Sequence, residues 1–130
     1  MLRTRCVWSP ISRKTDGLRV LVTRFRGRGL PASRYDVWMP NLGPSERLLG
    51  AGQDRRISWA QFSKQYREEL FLDGPIERRS RIIKNHGQKF TRLLKQLARR
   101  GRVRLMCHCD EDQLECHRHV LRKLLLSNRV

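Results

Sequence analysis

The sequence predicts an α/β fold: a small single-domain, Rossmann-like sheet, largely parallel and flanked by helices. Two observations carry that expectation. The β-branched run Leu18 to Val22 has the density of a buried central strand. Near the other end, a long amphipathic segment passes at Gly101 directly into the strand-like Val103–Cys107, and a second helical stripe follows, Cys116, Val120, Leu121, Leu124 and Leu125. Helix, strand and helix in tight succession is the rhythm of a parallel sheet.

The chain's 130 residues leave room for one domain, residues 1–130, and a hydrophobic share of 38% is enough for one core. The longest apolar stretches, such as Leu124–Leu126, are far too short to span a bilayer, so no membrane is expected. Met1–Cys6 is basic, and no apolar segment follows it as in a secretory leader. These readings predict a cytoplasmic protein. The sequence does not indicate its oligomeric state.

Taken in order, residues 2–8 alternate loosely up to Ser9-Pro10, as an edge strand does. Asp16-Gly17 is a turn signal before the central strand. Arg24–Gly29 breaks the periodicity with two glycines and reads as a loop. Tyr35–Met39 reads as a third strand, closed by Pro40. A short helix is expected from Ser45, with Leu48 and Leu49 inward and Gly50 ending it. The next begins at Ser58, where Gln61 completes a capping box, and its inner stripe is Trp59, Phe62, Tyr66 and Leu70. A long helix is expected from about Ser80 to Arg100, with Ile82, Ile83, Phe90, Leu93, Leu94 and Leu97 inward and Gly87 near its middle. The last helix is expected from about Gln113.

Charge narrows the choice of partner. Lys and Arg number 29 against 12 acidic residues, a formal net charge of +17. Such a field favours anions, above all nucleic acid or a nucleotide or phosphate ligand, although a compositional excess of arginine would look the same. The sign reverses locally: residues 105–117 hold Asp110, Glu111, Asp112 and Glu115 and no Lys or Arg.

With the segments placed, a resemblance can be read. Asp16–Arg24 and Arg28-Gly29-Leu30, then Tyr35–Ser45, Ile57-Ser58-Trp59, and Val103–Cys107 followed by Cys116-His117-Arg118 and Val120-Leu121, resemble the YeaO-like proteins. These are a branch of the family built on the domain of unknown function numbered 488. The resemblance covers nearly the whole chain and implies a compact α/β domain, but no particular reaction. Thr23 stands where the family commonly has Asp, and Gly27 where it has Pro. Cys109 and His119 lie outside the family pattern.

Three constellations bear chemistry. Arg24 and Arg28 sit in a glycine-containing loop at a strand end, and Arg118 sits at a helix start. All three are expected to converge on an anion at the C-terminal edge of the sheet, with Trp38 free to stack on a base. The bland alternatives are a solvated loop for the first two, or pairing with Asp16 or Asp36, and for Arg118 a local network with Asp112 and Glu115. Second, Arg81, Lys84, Lys89, Arg92, Lys95 and Arg99 fall off the apolar stripe of the long helix, so Arg92 and Lys95 are candidate nucleic-acid contacts. Third, Cys107, Cys116 and His117 are candidate catalytic groups, a thiol beside a helix start with an imidazole as base. A regulatory bond from Cys116 to Cys107 or to Cys109 is a further possibility.

The same loop offers a metal alternative. Cys107 and Cys109 share a strand face, Cys116 and His119 are three apart on the expected helix, and together they would make a Cys₃His site for zinc. The spacing is not a standard zinc spacing, and no cofactor is favoured. Without metal, Cys116 is expected to pack beside Val120, with Cys109 and His119 facing solvent. The three functional readings are a nucleic-acid or nucleotide/phosphate-binding domain, an enzyme acting on a phosphorylated or nucleic-acid substrate through the Cys/His/Arg loop, and a protein with a structural zinc site at 107–119.

Overall fold

The structure, a computed structural model, describes residues 1–12, 14–72 and 87–130. Among the described residues, four strands form one wholly parallel sheet: β1 (Leu2–Cys6), β2 (Leu18–Leu21), β3 (Val37–Trp38) and β4 (Val103–Cys107). Their order is β1-β4-β2-β3, so the last strand in sequence lies in the interior between the first two. Every residue of β4 is buried, including Arg104. Burial on both faces explains why its sequence does not alternate.

Period-2 alternation divides the sheet into two faces. Val20, Val22, Val103 and Leu105 join the larger apolar cluster, which takes in residues of each described α-helix: α1 (Glu46–Gln53), α2 (Trp59–Glu69), α3 (Gly87–Arg100) and α4 (His117–Leu126). Leu21 and Met106 point the other way, into a smaller cluster with Val7 and Leu30 against which Tyr35 and Trp38 pack. The segment after β2 therefore covers the face opposite the large cluster.

Local signals place the helix starts. The Ser45 hydroxyl caps α1 by accepting from the Leu48 N–H, and Ser58 and Gln61 form the expected capping box at the start of α2. Asp16 is buried but compensated: it accepts from the Ser12 N–H at 2.8 Å and from Arg5 Nη1 at 3.3 Å, and Arg104 Nε lies 3.9 Å away.

Several boundaries differ from expectation. The third strand is shorter, because only Val20 and Leu21 supply it with a partner before β2 ends. Helix α1 runs through Gly50 to Gln53. In α3 the described part begins at Gly87, so the expected Ser80–His86 portion, with Arg81, Ile82, Ile83 and Lys84, lies outside the described residues. Leu93, expected inward, is 45% exposed, since Leu94 takes the core position. The last helix begins at His117, not near Gln113. Residues 110–115 form turns, and Cys116, with φ −141° and ψ 140°, is the extended residue preceding the helix. Among the described residues, no helix is long and apolar enough to cross a membrane.

Candidate functional site

The parallel register brings the C-terminal ends of β1, β2 and β4 side by side, with Cys6 opposite Cys107 and Leu21 opposite Met106. The chain then leaves β4 through an acidic loop and returns at Cys116. As a result, the sulfurs of Cys107, Cys109 and Cys116 all lie within 4.8 Å of one another. Cys107 and Cys116 are the closest pair, at 2.9 Å, and both are buried. Cys109 is half-buried, and its backbone N–H donates to Cys107 Sγ at 3.3 Å.

Arg118 donates into this cluster. It is 0% exposed. Its Nη1 donates to Cys107 Sγ at 3.1 Å and to the Cys109 carbonyl at 2.9 Å, while Nη2 donates to the carbonyls of Asp110 at 2.6 Å and Glu111 at 3.3 Å. A cation in the first turn of a helix is disfavoured by the dipole. Here the carbonyls of the loop and the sulfur of Cys107 supply the compensating negative potential, not Asp112 or Glu115. The planar fork of arginine suits this set of acceptors, and a point-like ammonium would not reach them all.

Electrostatics within the cluster favour a single thiolate. Hydrogen bonds from Cys107 and Cys116 hold the Cys109 thiol down, to about 2, and hydrogen bonding to Cys109 pushes Cys107 up to about 11. Cys116 is also pushed up, chiefly by hydrogen bonding to Cys107 and then to Cys109. The three thiols are coupled, and Cys109 is the first of them to lose its proton. Beside them, burial pushes the fully enclosed His117 imidazole down to about 4, so it is neutral near pH 7. Its Nε2 lies 2.7 Å from the Val22 carbonyl, which fixes that nitrogen as the N–H donor and leaves the Nδ1 lone pair 3.9 Å from Cys116 Sγ.

The cluster opens on a cleft of about 490 Å³, lined by Cys109, Cys116 and His117 on one side and by Ile57, Trp59 and Phe62 on the other. The two rings are stacked, with centroids 5.3 Å apart. Trp59 and Phe62 read in sequence as pure core. The available signal was position: Trp59 is the first residue of α2, where one flank of the ring stays uncovered. His108, which the sequence reading did not single out, ties the two strand-end loops together. Its Nε2 pairs with the Arg26 carbonyl at 2.9 Å, and its ring lies where a Cβ on Gly27 would stand.

The other expected site residues are dispersed. Arg24 is buried, donating to the Pro44 carbonyl through Nε and to the Gly43 carbonyl through Nη2, both at 3.0 Å. It braces the segment before α1 and does not face the cleft. Arg28 is exposed on its loop. None of Arg24, Arg28 and Arg118 lines the cleft, so the expected three-arginine anion site is replaced by one exposed and two internally bonded groups. Asp36 and Asp16 are engaged by Arg19 and Arg5 instead. Trp38 is half-buried, with its indole N–H donating to the Thr23 carbonyl at 2.8 Å. On α3, Arg92 is exposed as expected, but Lys95 Nζ binds the carbonyl oxygens of Ser127 and Val130, both at 2.6 Å, and so anchors the C-terminal segment.

The expected Cys₃His arrangement is corrected in one member. Because Cys116 precedes the helix, it does not share a helical face with His119. The His119 ring instead lies between the Gln113 carbonyl at 2.9 Å and the Thr4 hydroxyl at 3.4 Å. Cys109, expected to face solvent, turns its sulfur into the cluster. The three cysteines could hold a metal ion.

The chain belongs to the DUF488 family: residues 2–129 match DUF488-N3a, described as the active DUF488-N3 subclade. Comparison with curated proteins and with solved structures finds no match.

Proposed function

We propose that this DUF488-family chain is a thiol-dependent enzyme acting on a phosphorylated or nucleic-acid substrate, with its reactive centre in the loop from Cys107 to Arg118. The observation that carries the reading is the set of three cysteine sulfurs within 4.8 Å of one another, bonded to a buried guanidinium and opening on the cleft. Cys109 is the nucleophile, because its half-buried sulfur is the one that hydrogen bonds from its two neighbours stabilise as thiolate. Its electron pair forms the sulfur–carbon bond while the bond to the leaving group breaks. The leaving group departs with the electron pair of the broken bond, and neutral His117 keeps its Nδ1 lone pair 3.9 Å from Cys116 Sγ. The anionic substrate is supported by the +17 formal charge and by exposed Arg28, Arg92, Arg99 and Arg100. The subclade's description as active agrees with an enzyme.

Alkylation by iodoacetamide, read per cysteine by mass spectrometry, tests the nucleophile. The Cys109 rate is expected to be flat between pH 5 and 8, whereas an ordinary thiol gains about tenfold per pH unit below its pKa. A Cys109 rate that rises with pH in the same way would overturn the assignment.

A second reading, a zinc site on Cys107, Cys109 and Cys116, is supported by the same clustering. The fit is imperfect. Two thiolates on a tetrahedral zinc, each about 2.3 Å from the metal, stand about 3.8 Å apart, whereas Cys107 and Cys116 are separated by 2.9 Å. The sulfurs would have to spread to hold the ion. The enzyme reading is preferred because Cys109, the most acidic thiol of the cluster, lines the cleft.

A further inference from the structure

A second cleft, of about 270 Å³, lies between α2 and α4 and shares the Trp59 ring with the first. Trp59, Ser63 and Arg67 line it at i, i+4 and i+8 of α2, so they form one face of that helix. Lys123 and Arg129 close it from the C-terminal side, and among the described residues no acidic side chain lines it. Among the described residues, no carboxylate pairs with Arg67, Lys123 or Arg129, although five other ion pairs are formed on arginines elsewhere. His119 also borders the cleft, but its ring nitrogens are engaged by Gln113 and Thr4, so it serves as wall.

Ser63 makes this more than a group of surface cations. The residue is 7% exposed, and its hydroxyl has no hydrogen-bond partner. A helical serine ordinarily bonds back to a carbonyl one turn earlier, and a buried hydroxyl left unpaired is costly. A donor held without a partner, beside three unpaired cations and an aromatic ring, matches the needs of a phosphate group attached to a planar base.

We infer that this cleft binds the phosphate of a nucleotide unit, with Ser63, Arg67, Lys123 and Arg129 around the phosphate and the base against Trp59. The inference rests on the proposed enzyme reading in one respect: the ring shared between the clefts would let one substrate be anchored here and attacked at Cys109. The phosphate could belong to a free nucleotide or to a nucleic-acid strand, since both offer the same chemistry.

Titration calorimetry on the full chain at low salt tests it, using AMP, adenosine, inorganic phosphate and a five-residue oligothymidylate. AMP is expected to bind at least tenfold more tightly than adenosine or phosphate alone. The Arg67→Ala/Lys123→Ala double variant should weaken AMP at least tenfold, and Ser63→Ala several-fold. Arg3→Ala/Arg47→Ala, which removes equal charge from exposed positions outside both clefts, should change it less than twofold. A strand source makes the oligothymidylate the tighter ligand, and a free-nucleotide source makes AMP the tighter. Absence of AMP binding, or equal weakening by the two double variants, would overturn the site. Cys109→Ser is expected to bind AMP as the unaltered chain does. A failed alkylation test with AMP binding intact would therefore remove the enzyme reading alone, and the converse would remove this site alone.

Discussion

The guanidinium of Arg118 and the sulfur of Cys107 are hydrogen-bonded at 3.1 Å inside the fold, and no carboxylate among the described residues pairs with that guanidinium. The charge is balanced by three loop carbonyls and by the cysteine cluster, so the strand end, the acidic loop and the helix start form one electrostatic unit. Loop geometry and thiol chemistry therefore depend on the same side chain.

Replacing that side chain tests the coupling. Arg118→Met keeps much of the volume but leaves the carbonyls of Cys109, Asp110 and Glu111 without their donor. A loss of about 3 kcal/mol or more is expected in urea unfolding, the cost of breaking a buried charged network from one side. Arg118→Lys should recover little of it, because an ammonium cannot reproduce the fork. Full recovery by lysine would mean that charge alone holds the loop.

His117 gives the fold a pH dependence of definite sign. In the unfolded chain the imidazole takes up a proton near pH 6.5, whereas in the fold burial delays uptake until about 4. Between these values the unfolded chain binds the extra proton, so stability falls with decreasing pH. The contribution is complete above about 6.5 and is lost as the pH drops towards 4, amounting to about 3 kcal/mol. His117→Gln, whose amide can still donate to the Val22 carbonyl, should flatten that part of the stability profile. An unchanged profile would show that the titrating group lies elsewhere.

The parallel sheet could be read from Leu18–Val22 and Val103–Cys107 because long β-branched or apolar runs tolerate burial on both faces. The cysteine cluster could be read only in part. Cys107 and Cys116 were paired by their places at a strand end and a helix start, but the role of Cys109 depended on turns at residues 110–115 that carry no hydrophobic period. The site arginines were misplaced for a related reason. A basic residue in a glycine loop or at a helix start suggests an anion ligand, whereas Arg24 and Arg118 are internal struts whose acceptors are chiefly backbone carbonyls, and carbonyls leave no mark on side-chain patterns. Trp59 lay within a stripe that looked like ordinary core, and Ser63 carried no signal of its own.

The glycine pair of the loop after β2 separates packing from backbone strain. Gly27 (φ +93°) and Gly29 (φ +71°) both have left-handed backbones, but a Cβ at Gly27 would fall 2.7 Å from the His108 ring, and at Gly29 it would meet nothing within 4 Å. Gly29→Ala should cost about 1 kcal/mol from conformation alone. Gly27→Ala should cost more, and it should also slow Cys109 alkylation by shifting His108, the neighbour of both Cys107 and Cys109. Equal costs, measured by thermal unfolding, would mean that the His108 ring gives way freely.

Metal content decides between the two readings of the cysteines. With Cys107 and Cys116 at 2.9 Å, closer than two zinc-bound sulfurs stand, the thiol cluster is expected to carry well under one equivalent of zinc after dialysis against EDTA, with an unchanged melting temperature. Cys107, Cys109 and Cys116 should then remain open to alkylation once the protein is unfolded, whatever zinc was supplied during expression. A stoichiometric zinc whose removal lowers the melting temperature would instead identify the cluster as a structural centre. In that case Cys116→Ser should abolish retention and His119→Ala should leave it intact, because the His119 ring is directed towards Thr4 and Gln113.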